Sequence, residues 1–390
     1  SYICALTLCL SGCSLTPASI YDEAAPYAYH DADKYSDLFR NNLQYLRLDA
    51  DFQSAYGQIF TAVYDNVDAE VLIQENGEER PGIRIPLEQA QLSGDDMAQL
   101  FEAFFHDNPQ FFFLDRTYSV EGSENDGKTT YDTVILRFTH NYKERTLAVQ
   151  QLDAVVEEIL AACPTTTDEY EKELYLHDQL IDRCRYDDVA AMHSSAEYAN
   201  AYSAYGALVE GKAVCEGYAK AMQLLLNKAN ITNTVVLGNA RSDQEAHMWN
   251  LVQINSAYYY VDYYLDPTWN DDETTPHYSY FNISAAMLEK THILDDQLVT
   301  VDCVDVNDNY HMRSNTFIDT YERDAIAAAI ATNINQGKAA VHLRFAEGKF
   351  ENALLFLKNS TLTYNKVTPY LAEGKQLWEY ELFTHKGQNT

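Results

Sequence analysis

The chain has 390 residues, 46% of them hydrophobic and 13% aromatic, which excludes wholesale disorder and is too much for one ordinary core, so two or three packed units are expected. Its 27 basic residues stand against 59 acidic ones, a net charge of −32, and that excess repels nucleic acid and anionic lipid. Seven cysteines are too few to staple a chain of this size as a disulfide scaffold.

Residues 2–10 form an apolar run too short to span a bilayer and sized like the core of a signal peptide. The run closes on Leu10-Ser11-Gly12-Cys13, which resembles the bacterial lipoprotein cleavage box. The resemblance implies a signal peptide and lipobox over 1–13 and a lipidated Cys13. It further implies an extracytoplasmic protein of a bacterial cell envelope, held to the membrane through that lipid alone. Residues 14–30, small or polar with Pro17 and Pro26, read as a tether.

Residues 31–145 read as a mixed α/β domain. Two helical pieces cover 31–64, and short strands over 69–73 and 82–85 flank Glu75-Asn76-Gly77-Glu78, a turn signal. Met97, Leu100, Phe101, Phe104 and Phe105 recur at helical spacing, and Asn108-Pro109 stops that helix. Strands follow over 111–120 and 129–140.

A second segment, 146–300, opens with helices marked by Leu152, Val155, Val156, Ile159 and Leu160, and then by Tyr170, Leu174, His177, Ile181 and Cys184. His177 sits on the apolar face and reads as a core histidine. Strands are expected over 232–238, 248–254 and 258–264, with Asn255-Ser256 as the hairpin turn between the last two. The tail, 301–390, reads as a small α/β domain: helix 321–333, strand 339–345, helix 347–357, strand 377–383. Asp305-Val306-Asn307-Asp308-Asn309 begins like a calcium loop but lacks the required glycine and glutamate further on. Cys163, Cys184 and Cys303 show no metal-ligand spacing, and a Cys163–Cys184 disulfide is compatible with an oxidising compartment.

The chemistry concentrates between residues 211 and 266. Gly211-Lys212-Ala213-Val214-Cys215 reads as a loop, and Glu216 to Lys228 as a helix with Tyr218, Met222, Leu225 and Leu226 on one face. Cys215 then stands at a helix start, where the dipole and unpaired backbone N–H groups favour a thiolate and can hold a developing oxyanion. Gly217 leaves room for a substrate backbone. His247 opens a strand, and the hairpin about Asn255-Ser256 brings Asp262 opposite Trp249, diagonal to His247. Asp266 has the same strand parity, so geometry leaves both acids open. Pro267 ends the strand and puts Asp262 on the firmer backbone. A thiol, an imidazole and a carboxylate are the parts of nucleophilic acyl transfer.

Thirty-two positions separate Cys215 from His247, and Asp262 follows 15 later. With Ala204-Tyr-Gly-Ala-Leu-Val-Glu-Gly-Lys-Ala-Val-Cys215-Glu-Gly-Tyr-Ala, His247-Met-Trp-Asn and Val261-Asp262, the stretch 165–285 resembles the transglutaminase-like superfamily at its bacterial thiol-protease end. The resemblance implies an α+β, papain-like core, a cysteine-bearing helix on an antiparallel sheet carrying histidine and acid. It implies a catalytic trio of Cys215, His247 and Asp262, no cofactor, and no metal. It also implies a peptide, protein or cell-wall peptide as substrate. Asp266-Pro-Thr-Trp keeps Asp266 in play as the acid. The family includes hydrolases, cross-linking enzymes and inactive relatives. An external lipoprotein has little control over amine acceptors, which favours hydrolysis of peptide or isopeptide amides. A cross-linking transglutaminase and a non-catalytic binding module are the alternatives.

Overall fold

A computed structural model describes residues 29–75, 77–88, 90–193, 196–242, 244–263, 278–295, 301–318, 323–335, 340–345, 364–372 and 375–383. Cys13, the apolar run, Asp266 and the expected helix over 347–357 lie outside these residues. The fold is α+β, as the sequence implies: helices with antiparallel sheets, and a short parallel pair of Phe317–Ile318 beside Ala340–Phe345. The chain divides into two compact units that interleave in sequence, residues 1–163 with 187–235, and 164–186 with 236–390. The segment 146–300 is thereby shared between them.

In the first unit, the strands order as Leu72–Glu75, Glu78–Pro86, Lys128–Phe138, Leu114–Asn125. Both hairpin turns use the residues their backbone demands. Gly77 takes φ 82°, and Asp126-Gly127 takes φ 51° and 78°, the left-handed conformation of two-residue hairpins. The helix Gly94–Asp107 begins in a reciprocal cap: Ser93 Oγ accepts from the Asp96 N–H at 3.2 Å, and the Asp96 carboxylate accepts from the Ser93 N–H at 2.8 Å. Met97, Leu100, Phe101 and Phe104 bury the expected face, while Phe105 is only partly covered. They join Phe39, Tyr56, Phe60 and Phe111 in a run of ring contacts, with Phe104–Phe111 stacked at 6.0 Å and Tyr56–Phe104 edge-on at 5.2 Å.

Helix Tyr142–Ala161 starts at a second reciprocal cap, Asn141 with Glu144. Arg145, in its first turn, points inward and is buried. Its guanidinium donates to the carbonyls of Asn66, Val67, Ala69 and His140 at 2.7–3.2 Å, and lies 4.2 Å over the Phe138 ring. The planar fork of an arginine can bind several carbonyls at once in this way.

The second unit carries the sheet ordered His292–Leu294, Asn233–Ala240, Ala246–Ile254, Ala257–Val261, in which Asn233–Ala240 begins in the first unit. The Asn255-Ser256 turn forms where expected, with φ of 48° and 74° and Ile254 paired to Ala257. The hairpin tip is tied down: Asn255 donates from its backbone to Glu169 and from its side chain to Asp168 and Asp308. Strand Ala246–Ile254 is buried on both faces over His247–Val252, so it is a central strand and its polar members need partners. His177, fully buried on helix Glu169–Arg183, packs its ring against Tyr263, Tyr278 and Phe281, the core histidine expected. One turn earlier, burial pushes the Glu173 carboxyl up to about 8, although Asn282 donates to it at 2.7 Å and His177 works the other way.

The tail forms a four-stranded sheet ordered Phe317–Ile318, Ala340–Phe345, Lys375–Phe383, Tyr364–Ala372, with helix Arg323–Asn335. The strand Tyr364–Ala372 is not among the elements expected from sequence, and it contains Pro369. It stands at the sheet edge, where a residue without an N–H is tolerated. The Asp305–Asn309 loop spends its polar groups internally. Asp305 accepts from the Tyr259 hydroxyl and the Asn307 N–H, and Asp308 pairs with Asn255 and Arg313.

Candidate active site

Cys215 is the first residue of helix Cys215–Lys228, and it is partly exposed. The approach to it is built by backbone geometry. Gly211, at φ 71°, closes the preceding turn of helix, a conformation that favours glycine. Lys212–Ala213 then run extended, and the Val214 N–H donates to the Ala201 carbonyl at 2.9 Å. The thiol therefore stands at the end of the helix where backbone N–H groups point outward.

Gly217 has a different use from the one expected. A Cβ there would lie 2.4 Å from the Ala201 carbonyl oxygen and 2.7 Å from Ala213 Cβ. The space is filled by the chain's own backbone, so this glycine lets the helix seat against the 201–213 segment and offers no room to a substrate. Glu216 also has a structural partner set the sequence did not disclose. Its buried carboxylate forms ion pairs with Arg116, from strand Leu114–Asn125, and with Lys220 one turn on, at 2.7 Å. Nearby His106 is brought down to about 4, by burial first and then by the charges of Lys220 and Arg116. Cys163, Cys184, Cys215 and Cys303 are not in disulfide bonds, so the Cys163–Cys184 bridge compatible with the sequence is not formed.

His247 and Asp262 meet. The register pairs Asn250 with Val261; one step further, Trp249 stands opposite Asp262, and His247 is its diagonal neighbour. His247 Nε2 lies 2.5 Å from Asp262 Oδ2, and both residues are buried. Burial alone would raise the Asp262 carboxyl, but the His247 and His292 imidazoles outweigh it and hold the group well below the usual carboxylate range. The Trp249 ring packs 5.7 Å from that of His247.

A third member was not singled out from sequence. His292 Nε2 lies 3.0 Å from the same Asp262 Oδ2, and its ring is 5.5 Å from that of His247. Among the described residues, His247, Asp262 and His292 are the group with the composition of a metal site, their ligand atoms all within 4.8 Å. Two donors on one tetrahedral ion at about 2.0–2.1 Å stand about 3.3 Å apart. The 2.5 and 3.0 Å separations are shorter, so the trio as built is hydrogen-bonded and does not fit an ion without opening.

Residues 154–265 match the family model of the Transglutaminase-like superfamily. The chain carries a transglutaminase-like domain. No curated protein matches the chain. Among solved structures, a TGase is 18% identical, with 57% of this chain covering 62% of that one at a TM-score of 0.29. A provisionally named cysteine protease from Cytophaga hutchinsonii is 14% identical over 39% of this chain and 63% of its own, at 0.24. A provisionally named protease from Parabacteroides distasonis is 8% identical over 78% and 66%, also at 0.24. The chain thus spans less than two thirds of the length of each. The transglutaminase-like domain contains Cys215, His247 and Asp262 within the matched residues, whereas His292 lies beyond them.

Proposed function

We propose that the chain is a thiol acyl-transfer enzyme that hydrolyses peptide or isopeptide amides with Cys215, His247 and Asp262. The observation that carries the reading is the buried His247–Asp262 bond, an imidazole fixed at Nε2 by an ionised carboxylate. With Nε2 committed, proton exchange with the thiol runs through Nδ1. The thiolate of Cys215 attacks the amide carbonyl carbon, and helix-start N–H groups hold the oxyanion. The C–N bond then breaks as the imidazolium returns its proton to the leaving amine, giving a thioester. Water, deprotonated by His247, attacks the thioester carbon, and the carboxylic acid leaves as the thiol is restored. Asp262 holds the tautomer and balances the imidazolium throughout.

A thiol-directed electrophile should label Cys215 faster than Cys163, Cys184 or Cys303, and Cys215→Ala should abolish that fast label. Peptide substrates should yield free acid, with product unchanged when a primary amine is added. Labelling of Cys163 or Cys303 at the same rate would remove the nucleophile assignment. Incorporation of the amine would make the enzyme a cross-linking transglutaminase instead.

The location is part of the same proposal. Leu10-Ser11-Gly12-Cys13 supports a lipid anchor at Cys13 on the outside of a bacterial membrane. One acyl chain anchors weakly and several anchor stably, so Cys13→Ala should move the protein from the membrane to the soluble fraction. Retention on the membrane with no lipid found at Cys13 by mass spectrometry would end this part of the proposal. Among the described residues, no helix is long and apolar enough to cross a membrane.

A further inference from the structure

We infer that His292 is a positioning residue for the same site: it donates from Nε2 to Asp262 Oδ2 and so fixes the carboxylate against which His247 is oriented. This rests on the reading of His247 and Asp262 as the base and its orienting acid.

The tautomer follows from the neighbours of His292. Its Nδ1 lies 2.8 Å from Thr291 Oγ1, whose other contact, the Leu288 carbonyl, is longer at 3.3 Å. An ionised carboxylate only accepts, so the Nε2 that faces Asp262 carries the ring proton. In the neutral ring Nδ1 is then an acceptor, and the rotatable Thr291 hydroxyl can serve it. The ring has no freedom to turn away. It is fully buried, edge-on to Trp249 at 4.8 Å and to Tyr280 at 5.6 Å.

The position of His292 is as informative as its bond. His292 lies on one edge strand of the sheet, paired with Ala240, while Asp262 follows directly on the opposite edge strand. In a flat four-stranded sheet those backbones would stand about 14 Å apart, so the contact requires the sheet to curl around the trio. A carboxylate oxygen shared by two imidazole N–H donors has its direction fixed by both. Removing one frees the carboxylate to rotate away from His247 and, at the same time, changes the charge density offered to the other. Partners of this kind, which orient a functional ligand without touching substrate, typically matter by about 10–100-fold.

The test uses the full chain with ¹⁵N-labelled histidine. In the wild-type protein, His292 should be the neutral Nε2–H tautomer, and the His247 Nε2 proton, donated to a buried ionised carboxylate, should resonate downfield. His292→Leu should shift or abolish that His247 resonance and lower amide hydrolysis by about 10–100-fold. His292→Gln, whose amide can donate to the same oxygen, should recover much of both. A purely packing role predicts the reverse, with leucine tolerated and the resonance unmoved. The inference is overturned by a folded leucine variant with wild-type resonance and turnover. It is equally overturned by a wild-type His292 protonated at Nδ1 alone, a measurement that needs no variant to fold. Since tautomer and resonance are read without turnover, they decide on His292 even if Cys215→Ala leaves hydrolysis intact and the amidase reading falls.

Discussion

Asp262→Asn should lower amide hydrolysis by about 10⁴-fold at neutral pH while leaving the fold in place. The substitution keeps size and shape at a buried position, so the hairpin and its pairing have no steric reason to change. The loss is chemical. The carboxylate accepts from His247 Nε2 and from His292 Nε2 at one oxygen. An amide in its place carries no charge to balance an imidazolium and brings an N–H₂ that can point at the ring. His247 then adopts the opposite tautomer, with its proton on the nitrogen that must accept from the thiol. Acid pH should reproduce none of this within the ordinary carboxylate range. The folded-state carboxyl is held below its unfolded value, so its contribution to stability is present above the unfolded value and is lost only as the pH falls through the depressed one. Asp266→Asn is the control and should cost far less. Turnover measured on both variants, with melting temperature alongside, ranks the two acids. A larger loss from Asp266→Asn, with both variants folded, would transfer the orienting role to Asp266.

The parts of this site that could be read from sequence are those set by local rules. Asn255-Ser256 between two apolar runs specifies a tight turn, and the turn specifies the register, so the Trp249–Asp262 opposition follows with no knowledge of the rest of the fold. The helix start at Cys215 was readable for a similar reason, because Gly211 marks where the chain must turn before a run of helix-spaced apolar residues. His292 belongs to a three-residue strand with no alternating pattern of its own, and it reaches Asp262 only because the sheet curls. No local rule contains that curl. Glu216 shows the same limit from the other direction. Nothing local marks it for burial, yet it is buried and paired with Arg116, from a strand 100 residues earlier. Gly217 was read as space for a ligand because a missing side chain says only that something approaches closely. What approaches is Ala201 and Ala213.

Arg145→Met should destabilise the first unit by about 3–5 kcal/mol, the range for removing one partner from a buried charged network. Arg145 stands in the first turn of helix Tyr142–Ala161, near the dipole end that disfavours positive charge. In the fold it is buried, and its charge is met by four backbone carbonyls and two aromatic faces, Phe113 and Phe138. Burial lowers its affinity for a proton, and the charge of Asp68 partly offsets this. The carbonyls of Asn66, Val67 and Ala69 belong to the segment that leaves helix Ala50–Asp65 and leads into strand Leu72–Glu75. Backbone in such a connection has neither helix nor sheet to satisfy it, so the guanidinium supplies the donors that regular structure would have supplied. Methionine fills much of the stem's volume, which keeps the cavity cost small, and offers no N–H. Several buried carbonyls are left unpaired together, and the cost of each is incurred in full because water cannot reach them. Lysine should rescue poorly: it keeps the charge but cannot fork across acceptors on both sides of its plane. For a unit of this size the methionine variant should melt roughly 10 °C lower. Urea titration of wild type, Arg145→Met and Arg145→Lys gives the free energies directly. A loss under about 1 kcal/mol for methionine would show that these carbonyls find other partners, and that the arginine is a passenger of the helix rather than the clamp on the chain that enters the sheet.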